Sequence, residues 1–91
     1  MLVEFTKVEM VEGQPQIKRI WVNPSNVVSV VADNLKYYEL KEGLIKAGVH
    51  EQLHISEMKL YDGTVTSSVL ILGAPSLIRE KLTGKKQILR G

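Results

Sequence analysis

The sequence predicts a single α+β domain, in which a small, mostly antiparallel five-stranded sheet carries a C-terminal helix and a candidate middle helix. Five runs of β-prone residues alternate with turn signals, notably at 12–15 and 62–63. Pro75 opens a last amphipathic segment and Gly84 ends it, which is typical of a helix. Since the chain has only 91 residues, a single core is expected.

The first two strands are predicted over 2–11 and 16–22. Phe5 and Val8 fall on opposite faces of the first strand, so neither face is cleanly polar. A strand of this kind is covered on both sides or lies against a second subunit. Self-association is therefore one expectation from the sequence.

The third strand is predicted over 27–32, after Asn23 and Pro24 interrupt the β-prone run. The segment contains four valines that make both of its faces apolar, and β-branched residues favour strands. We therefore expect a central strand here.

The segment 35–47 is predicted to be a helix, with Leu40, Leu44 and Ala47 on its inner face. Gly43 weakens this prediction, because glycine in a helix interior costs about 1 kcal/mol relative to alanine. The alternative is an extended hairpin or a mobile excursion, since the neighbouring tyrosines at 37 and 38 suit a strand.

The last two strands are predicted over 52–61 and 64–72, joined by a type I′ turn at Asp62-Gly63. A helix from Pro75 to about Thr83 follows, and we expect its apolar side chains to face the sheet (Leu77, Ile78 and Leu82). The domain then spans 1–84, with 33–52 as an insertion whose structure the sequence leaves open and 85–91 as a basic tail.

Composition narrows the class of protein. The absence of cysteine excludes a disulfide-stapled miniprotein and a thiolate metal site. No apolar run reaches the roughly 18 residues of a spanning helix, and the N-terminus differs from a signal peptide. We therefore expect a cytoplasmic protein that does not bind membranes.

The net charge is +2, with basic residues concentrated after position 78. That basic end suits a helix C-terminus or a contact with phosphate.

No pattern of residues predicts catalysis, so we expect a protein without enzymatic activity or cofactor. Serines 67 and 68 have no local histidine, and no glycine-rich phosphate loop occurs. His50 and His54 match a zinc-protease spacing formally. However, Gly48 precedes them and β-prone residues follow, which argues against the long helix that such a site needs. We predict no metal site.

Candidate ligand-binding residues lie in two places. Arg19 and Trp21 share one face of the second strand and could stack on a ligand, while the basic end supplies the remaining candidates (Arg79, Lys85 and Lys86). This arrangement is the basis for an alternative hypothesis, a nucleotide-like ligand in a pocket at a subunit interface. Basic residues near aromatics also leave nucleic-acid binding open.

The segments Ile20–Val30, Lys59–Thr64 and Leu77–Leu82 together resemble the small flagellar-operon FlbD-type proteins, and similar small proteins of bacteria and phages. The resemblance covers roughly 17–32 and 55–82. It implies a strand, hairpin and short-helix order and a regulatory or assembly role, and it carries no catalytic residues. This chain differs by a longer N-terminal strand region and by the insertion at 33–52. The leading hypothesis is a non-enzymatic regulatory protein that binds a protein partner, as a homo-oligomer.

Overall fold

The computed structural model describes residues 1–49 and 54–84 and has the α+β architecture predicted from the sequence. The elements follow in the order β1 Val3–Val11, β2 Gln14–Val22, β3 Val27–Ala32, α1 Asn34–Lys46, β4 Ile55–Tyr61, β5 Thr66–Leu72 and α2 Pro75–Thr83. A short 3-10 helix, Pro24–Asn26, connects β2 to β3. The strands form one antiparallel sheet in the order β2-β1-β5-β4-β3. The tail at 85–91 lies outside the described residues.

The type I′ geometry lies in the first hairpin. Val11 pairs with Gln14 across a two-residue loop, and the two loop residues both have positive φ, 53° at Glu12 and 79° at Gly13. Positive φ at both central positions is what a type I′ turn requires. Because the loop is so short, it also fixes the register of β1 against β2.

The prediction of a type I′ turn at Asp62-Gly63 is wrong. Tyr61 pairs with Thr66, which leaves a four-residue loop in which Gly63 has a positive φ of 104° while Asp62 does not have a positive φ. The Asp62 carboxylate instead accepts hydrogen bonds from the backbone N–H groups of residues 64 and 65, at 2.9 and 3.0 Å. This local bonding to the side chain organises a longer loop than the Asp-Gly pair alone predicts.

The prediction that 27–32 is a central strand is also wrong, because β3 is an edge strand. Val27 and Val30 pack against the core, whereas Val28 and Val31 are exposed. The apolar character of both faces misled the prediction, since only one face of β3 is covered.

The two helices pack on opposite faces of the sheet. On the side that we call the α1 face, Leu40 and Leu44 cover a cluster of buried strand residues that includes Val8 and Ile55. On the other side, the α2 face, Ile78 packs with a second cluster (Phe5, Val22, Met58 and Ile71). The central strands are thus covered on both sides within one chain, and a second subunit is not needed to bury them.

The sheet curls around the cluster on its α2 face. Val22 in the edge strand β2 belongs to this cluster, and Val27 at the start of the opposite edge strand packs against it. The three-residue 3-10 helix connects the end of β2 to the start of β3. Asn23 caps this helix, because its Oδ1 accepts a hydrogen bond from the Ser25 N–H at 3.0 Å. The ends of β2 and β4 are therefore brought near each other.

The predicted middle helix is confirmed, and the strand-like alternative for this segment is not. Asp33 caps α1 by accepting a hydrogen bond from the Lys36 N–H at 3.0 Å. Leu40 and Leu44 are buried as predicted, but Ala47 is exposed and forms the C-terminal cap. In α2, Ile78 and Leu82 face the core as predicted, but the prediction that Leu77 faces the sheet is wrong, because Leu77 is 51% exposed.

Candidate interaction surface

Helix α1 carries a second apolar row on the side that faces away from the sheet. Leu35 is 78% exposed and Tyr38 is 72% exposed, and Ile45 extends the row at 41%. The positions 35, 38 and 45 fall on one side of a helix of 3.6 residues per turn, opposite Leu40 and Leu44, and the exposed Glu42 lies on the same side between 38 and 45. We call these three residues the α1 stripe. The helix is therefore apolar on two sides, only one of which contacts its own sheet.

Polar side chains border the α1 stripe. Lys36 and Glu39 form an ion pair with 3.3 Å between Nζ and Oε1, and the ammonium of Lys41 lies 5.9 Å from the centre of the Tyr37 ring. The rings of Tyr37 and Tyr38 meet edge to face, with centroids 5.2 Å apart. Leu35 and Tyr38 thus form an apolar pair with charged side chains beside it, and apolar anchors bordered by charges are the usual composition of a protein-binding surface.

The Tyr37 ring connects the outer side of α1 to the core side. It packs against the α1-face cluster, and its ring also stacks with the exposed His54 ring at a centroid distance of 6.3 Å. The exposed Tyr38 ring therefore contacts a neighbouring ring, Tyr37, that is itself packed against the core. A pre-positioned aromatic loses less conformational freedom when it binds.

The structure places Arg19 and Trp21 on one face of β2, as predicted. Arg19 is exposed, and its Nε lies 3.3 Å from an oxygen of Glu4 on β1. Trp21 pairs with Glu4 across the ladder and is 58% exposed. The guanidinium is therefore already paired with a carboxylate, which reduces its attraction for an anionic ligand.

A shallow depression of about 210 Å³ lies beside Trp21, where the end of β2 meets the β4–β5 hairpin. Tyr61 forms its second aromatic wall. The rest of the lining combines polar with apolar side chains (Asn23, Asn26, Asp62, Ser67, Val22 and Leu60). A lining with two aromatic side chains and two amides has the composition of a site for a small planar ligand.

Asp62 is the charged group of this depression. Hydrogen bonds from the backbone N–H groups of Val65 and Thr64, and from the Thr64 hydroxyl, lower the pKa of Asp62 to about 2. The carboxyl group is therefore ionised at neutral pH, and its main structural role is to organise the hairpin loop.

Arg79, the one basic candidate of the C-terminal end that the structure describes, does not line the depression beside Trp21. Arg79 is exposed on α2 and lines a separate depression of about 220 Å³ with Ser76, Glu80 and Thr83. This depression and the one beside Trp21 share no lining residue. Lys85 and Lys86 lie outside the described residues, so the structure leaves their proposed role as a prediction.

The histidine pair is described only in part, since His50 lies outside the described residues. His54 comes directly before β4, and its backbone carbonyl accepts a hydrogen bond from Gly73 at 2.6 Å. Within 1–49 and 54–84, no three histidine, cysteine or carboxylate side chains are grouped so that they could hold a metal ion.

Sequence reasoning missed both the α1 stripe and the depression beside Trp21. The stripe had a visible signal, because residues 35, 38 and 45 share a helical face opposite the predicted core residues. The depression had none, since Trp21 and Tyr61 are distant in the chain and come to line one depression only when the sheet curls.

Comparisons with protein-family models, with curated proteins and with solved structures yield no match to this chain. The resemblance to FlbD-type proteins therefore stays a prediction. Neither helix in the described part of the chain has the length and apolarity needed to cross a membrane.

Proposed function

We propose that this protein is a non-enzymatic interaction protein that binds a protein partner through the α1 stripe and acts as a homo-oligomer. The observation that carries the proposal is the exposure of Leu35 and Tyr38 on the side of α1 opposite the core. Large apolar side chains in a row on one helix face provide the anchors with which helices dock into apolar grooves. Tyrosine is also enriched among the residues that dominate binding energy.

The position of the α1 stripe supports a role specific to this chain. The stripe lies within 33–52, which is the insertion that distinguishes the sequence from the FlbD-type pattern. The resemblance implies a regulatory or assembly role. In this chain, α1 would then select a partner that FlbD-type proteins without the insertion do not bind. The partner expected is a cytoplasmic protein of a bacterium or phage, with an apolar groove bordered by charges of both signs.

The test is capture of partners by immobilised protein from a lysate of the source organism. The Leu35→Ser/Tyr38→Ser variant removes the two most exposed anchors without changing the core face of α1. Leu77→Ser, which removes an exposed leucine from α2, is the matched control. We expect one protein to be captured by the wild type and the control and to be lost, by at least about tenfold, with the stripe variant.

Equal capture by all three proteins would contradict the role of the α1 stripe. Capture of nothing above a blank matrix would contradict the proposal of a protein partner. Circular dichroism of each variant shows whether it has kept its fold. We expect that it has, because the substitutions lie at exposed positions.

A second candidate function rests on the depression beside Trp21. We propose that it accommodates a small planar ring such as a nucleobase, stacked between Trp21 and Tyr61. The chain has a single tryptophan, so its fluorescence reports directly on this site. Nucleobases, nucleosides and nucleotides are expected to quench that fluorescence in proportion to occupancy, and to raise the melting temperature further as the free ligand concentration rises above Kd. Unchanged fluorescence and melting temperature across the series would rule out this ligand class.

A further inference from the structure

Strand β2 presents a regular, unpaired edge. Its ladder with β1 runs without interruption from the Val3–Val22 pair to the Val11–Gln14 pair. Within the described part of the chain, no strand pairs with its other side. The opposite edge strand, β3, is shorter and contains a register shift between Val27 and Ser29, a feature that hinders pairing with other strands. The two edges are therefore not equivalent, and β2 is the one suited to further pairing.

The first hairpin determines which backbone groups of β2 point outward. A two-residue loop makes Val11 and Gln14 a hydrogen-bonded pair, and such pairs alternate along an antiparallel ladder. The even-numbered residues of β2 thus bond to β1, while Ile17, Arg19 and Trp21 direct their N–H and C=O groups away from the sheet. Pro15 occupies the remaining outward position, where its missing N–H leaves the ladder with β1 intact.

The side chains at these outward positions are apolar at both ends and charged in the middle. Ile17 is 44% exposed and Trp21 is 58% exposed, and both lie on the same face as Arg19, two residues away on either side. The pattern is symmetric about Arg19. A two-fold axis at this residue would bring Ile17 of one copy opposite Trp21 of the other, and would do so twice.

The charge at the centre of this pattern is balanced within each chain. In an antiparallel pair centred on Arg19, two guanidinium groups would lie opposite each other, and like charges there are destabilising. Glu4 removes much of this cost, because its Oε2 lies 3.3 Å from Arg19 Nε on the same face. Two Glu4–Arg19 pairs would therefore meet across the axis, arranged so that each cation lies near a carboxylate.

We propose that two copies of this chain pair through β2 in antiparallel orientation, with Arg19 on the two-fold axis and Ile17 against Trp21 of the second copy. Two five-stranded sheets would then form one continuous sheet. This inference rests on the self-association in the proposed function and specifies its surface. It also places the depression beside Trp21 at the subunit interface.

The chain has no cysteine, so single cysteines can report on this geometry. Opposed residues of a hydrogen-bonded antiparallel pair have Cα atoms about 5.5 Å apart, which suits a disulfide. Arg19→Cys is expected to form a covalent dimer rapidly under mild oxidation. Ile17→Cys and Trp21→Cys are each expected to do so slowly alone and rapidly when mixed, at least about tenfold faster. A disulfide between the two chains forms only where their two sulfurs meet, and the added oxidant accepts the two electrons.

Val31→Cys, on the exposed side of β3, is the control for random collision. Sedimentation of the cysteine-free protein at high micromolar concentration is expected to show a dimer, and Ile17→Lys/Trp21→Lys is expected to shift it to monomer. A wild-type monomer, or cross-linking of Arg19→Cys no faster than Val31→Cys, would overturn the proposal. Faster self-linking of Ile17→Cys than of Arg19→Cys would overturn this register. None of these results depends on capture through the α1 stripe, which tests the partner-binding proposal separately.

Discussion

Gly43 of α1 lies directly against the ring of Pro15 in β2. A Cβ atom at position 43 would lie 2.5 Å from Pro15 Cγ and 2.7 Å from Cδ, closer than carbon atoms approach without displacement. Pro15 is buried at this contact, although it lies in an edge strand. The glycine in the helix interior is therefore explained by close packing between helix and strand.

The first prediction is that Gly43→Ala destabilises the protein. Helix propensity alone would make this substitution stabilising by about 1 kcal/mol. The clash with Pro15 acts in the opposite direction, because overpacking of a well-packed contact costs about 1–3 kcal/mol. We expect a net decrease in the free energy of unfolding, measured by urea denaturation followed by circular dichroism.

The Pro15→Ala variant provides the control for this prediction. When Gly43→Ala is introduced together with Pro15→Ala, the clash is removed, so the helix-propensity gain should reappear. The two substitutions should therefore show a coupling energy of about 1–3 kcal/mol. Additive effects of the two changes would show that the contact does not limit the packing of α1.

The contact between Gly43 and Pro15 also shows why part of the fold could not be predicted from the sequence. Hydrophobic periodicity and turn residues act locally, and they predicted the five strands, both helices and most of their boundaries. In contrast, Gly43 weakened the helix prediction because its partner is distant in the chain. The edge position of β3 was missed for a related reason, since local composition does not say which strands are neighbours.

The candidate sites also include one feature that the local sequence predicts and two that it does not. The α1 stripe follows from helical spacing and could have been found by examining the face of 34–46 opposite Leu40 and Leu44. The pairing of Arg19 with Glu4 depends on the register of two strands, and the placement of Trp21 and Tyr61 at one depression depends on the curl of the sheet. Such relationships require the tertiary arrangement.

The second prediction concerns Ser56, a fully buried polar residue on the α2 face. Its hydroxyl donates a hydrogen bond to the Gly73 carbonyl at 2.7 Å. Ser56→Ala removes the donor while that carbonyl keeps its place, and we expect a loss of about 1–2 kcal/mol in the free energy of unfolding. Ser68→Ala, on the exposed part of β5, should change stability by less than about 0.5 kcal/mol. Equal effects of the two alanine variants in chemical denaturation would contradict the importance of this bond.

The third prediction concerns the pH dependence that Asp62 confers. Backbone hydrogen bonds from Val65 and Thr64 lower its pKa from 3.8 to about 2 in the folded state. Because the folded pKa is depressed, the stabilisation is fully present above pH 3.8 and is lost as the pH falls through 2. Asp62→Asn keeps an acceptor oxygen but does not titrate.

The wild type should therefore lose stability relative to Asp62→Asn between about pH 4 and about pH 2, as denaturation midpoints can show. The carbon chemical shift of the Asp62 carboxyl group, followed by NMR over the same range, provides a direct measurement. A titration midpoint near 3.8 would mean that the carboxylate is not hydrogen-bonded in solution as the structure shows.

The fourth prediction concerns Lys81, which ties α2 to β1. Its ammonium donates a hydrogen bond to the Glu4 carbonyl at 2.7 Å and lies 5.0 Å from the centre of the Phe5 ring. Lys81→Met keeps the apolar stem over the ring but removes the charge and the donor, so we expect a loss of about 1 kcal/mol in the free energy of unfolding. Lys41→Met, where the ammonium lies 5.9 Å from the Tyr37 ring, should cost less. If the two methionine variants were equally stable in urea, the Lys81 contacts would contribute nothing beyond the packing of the stem.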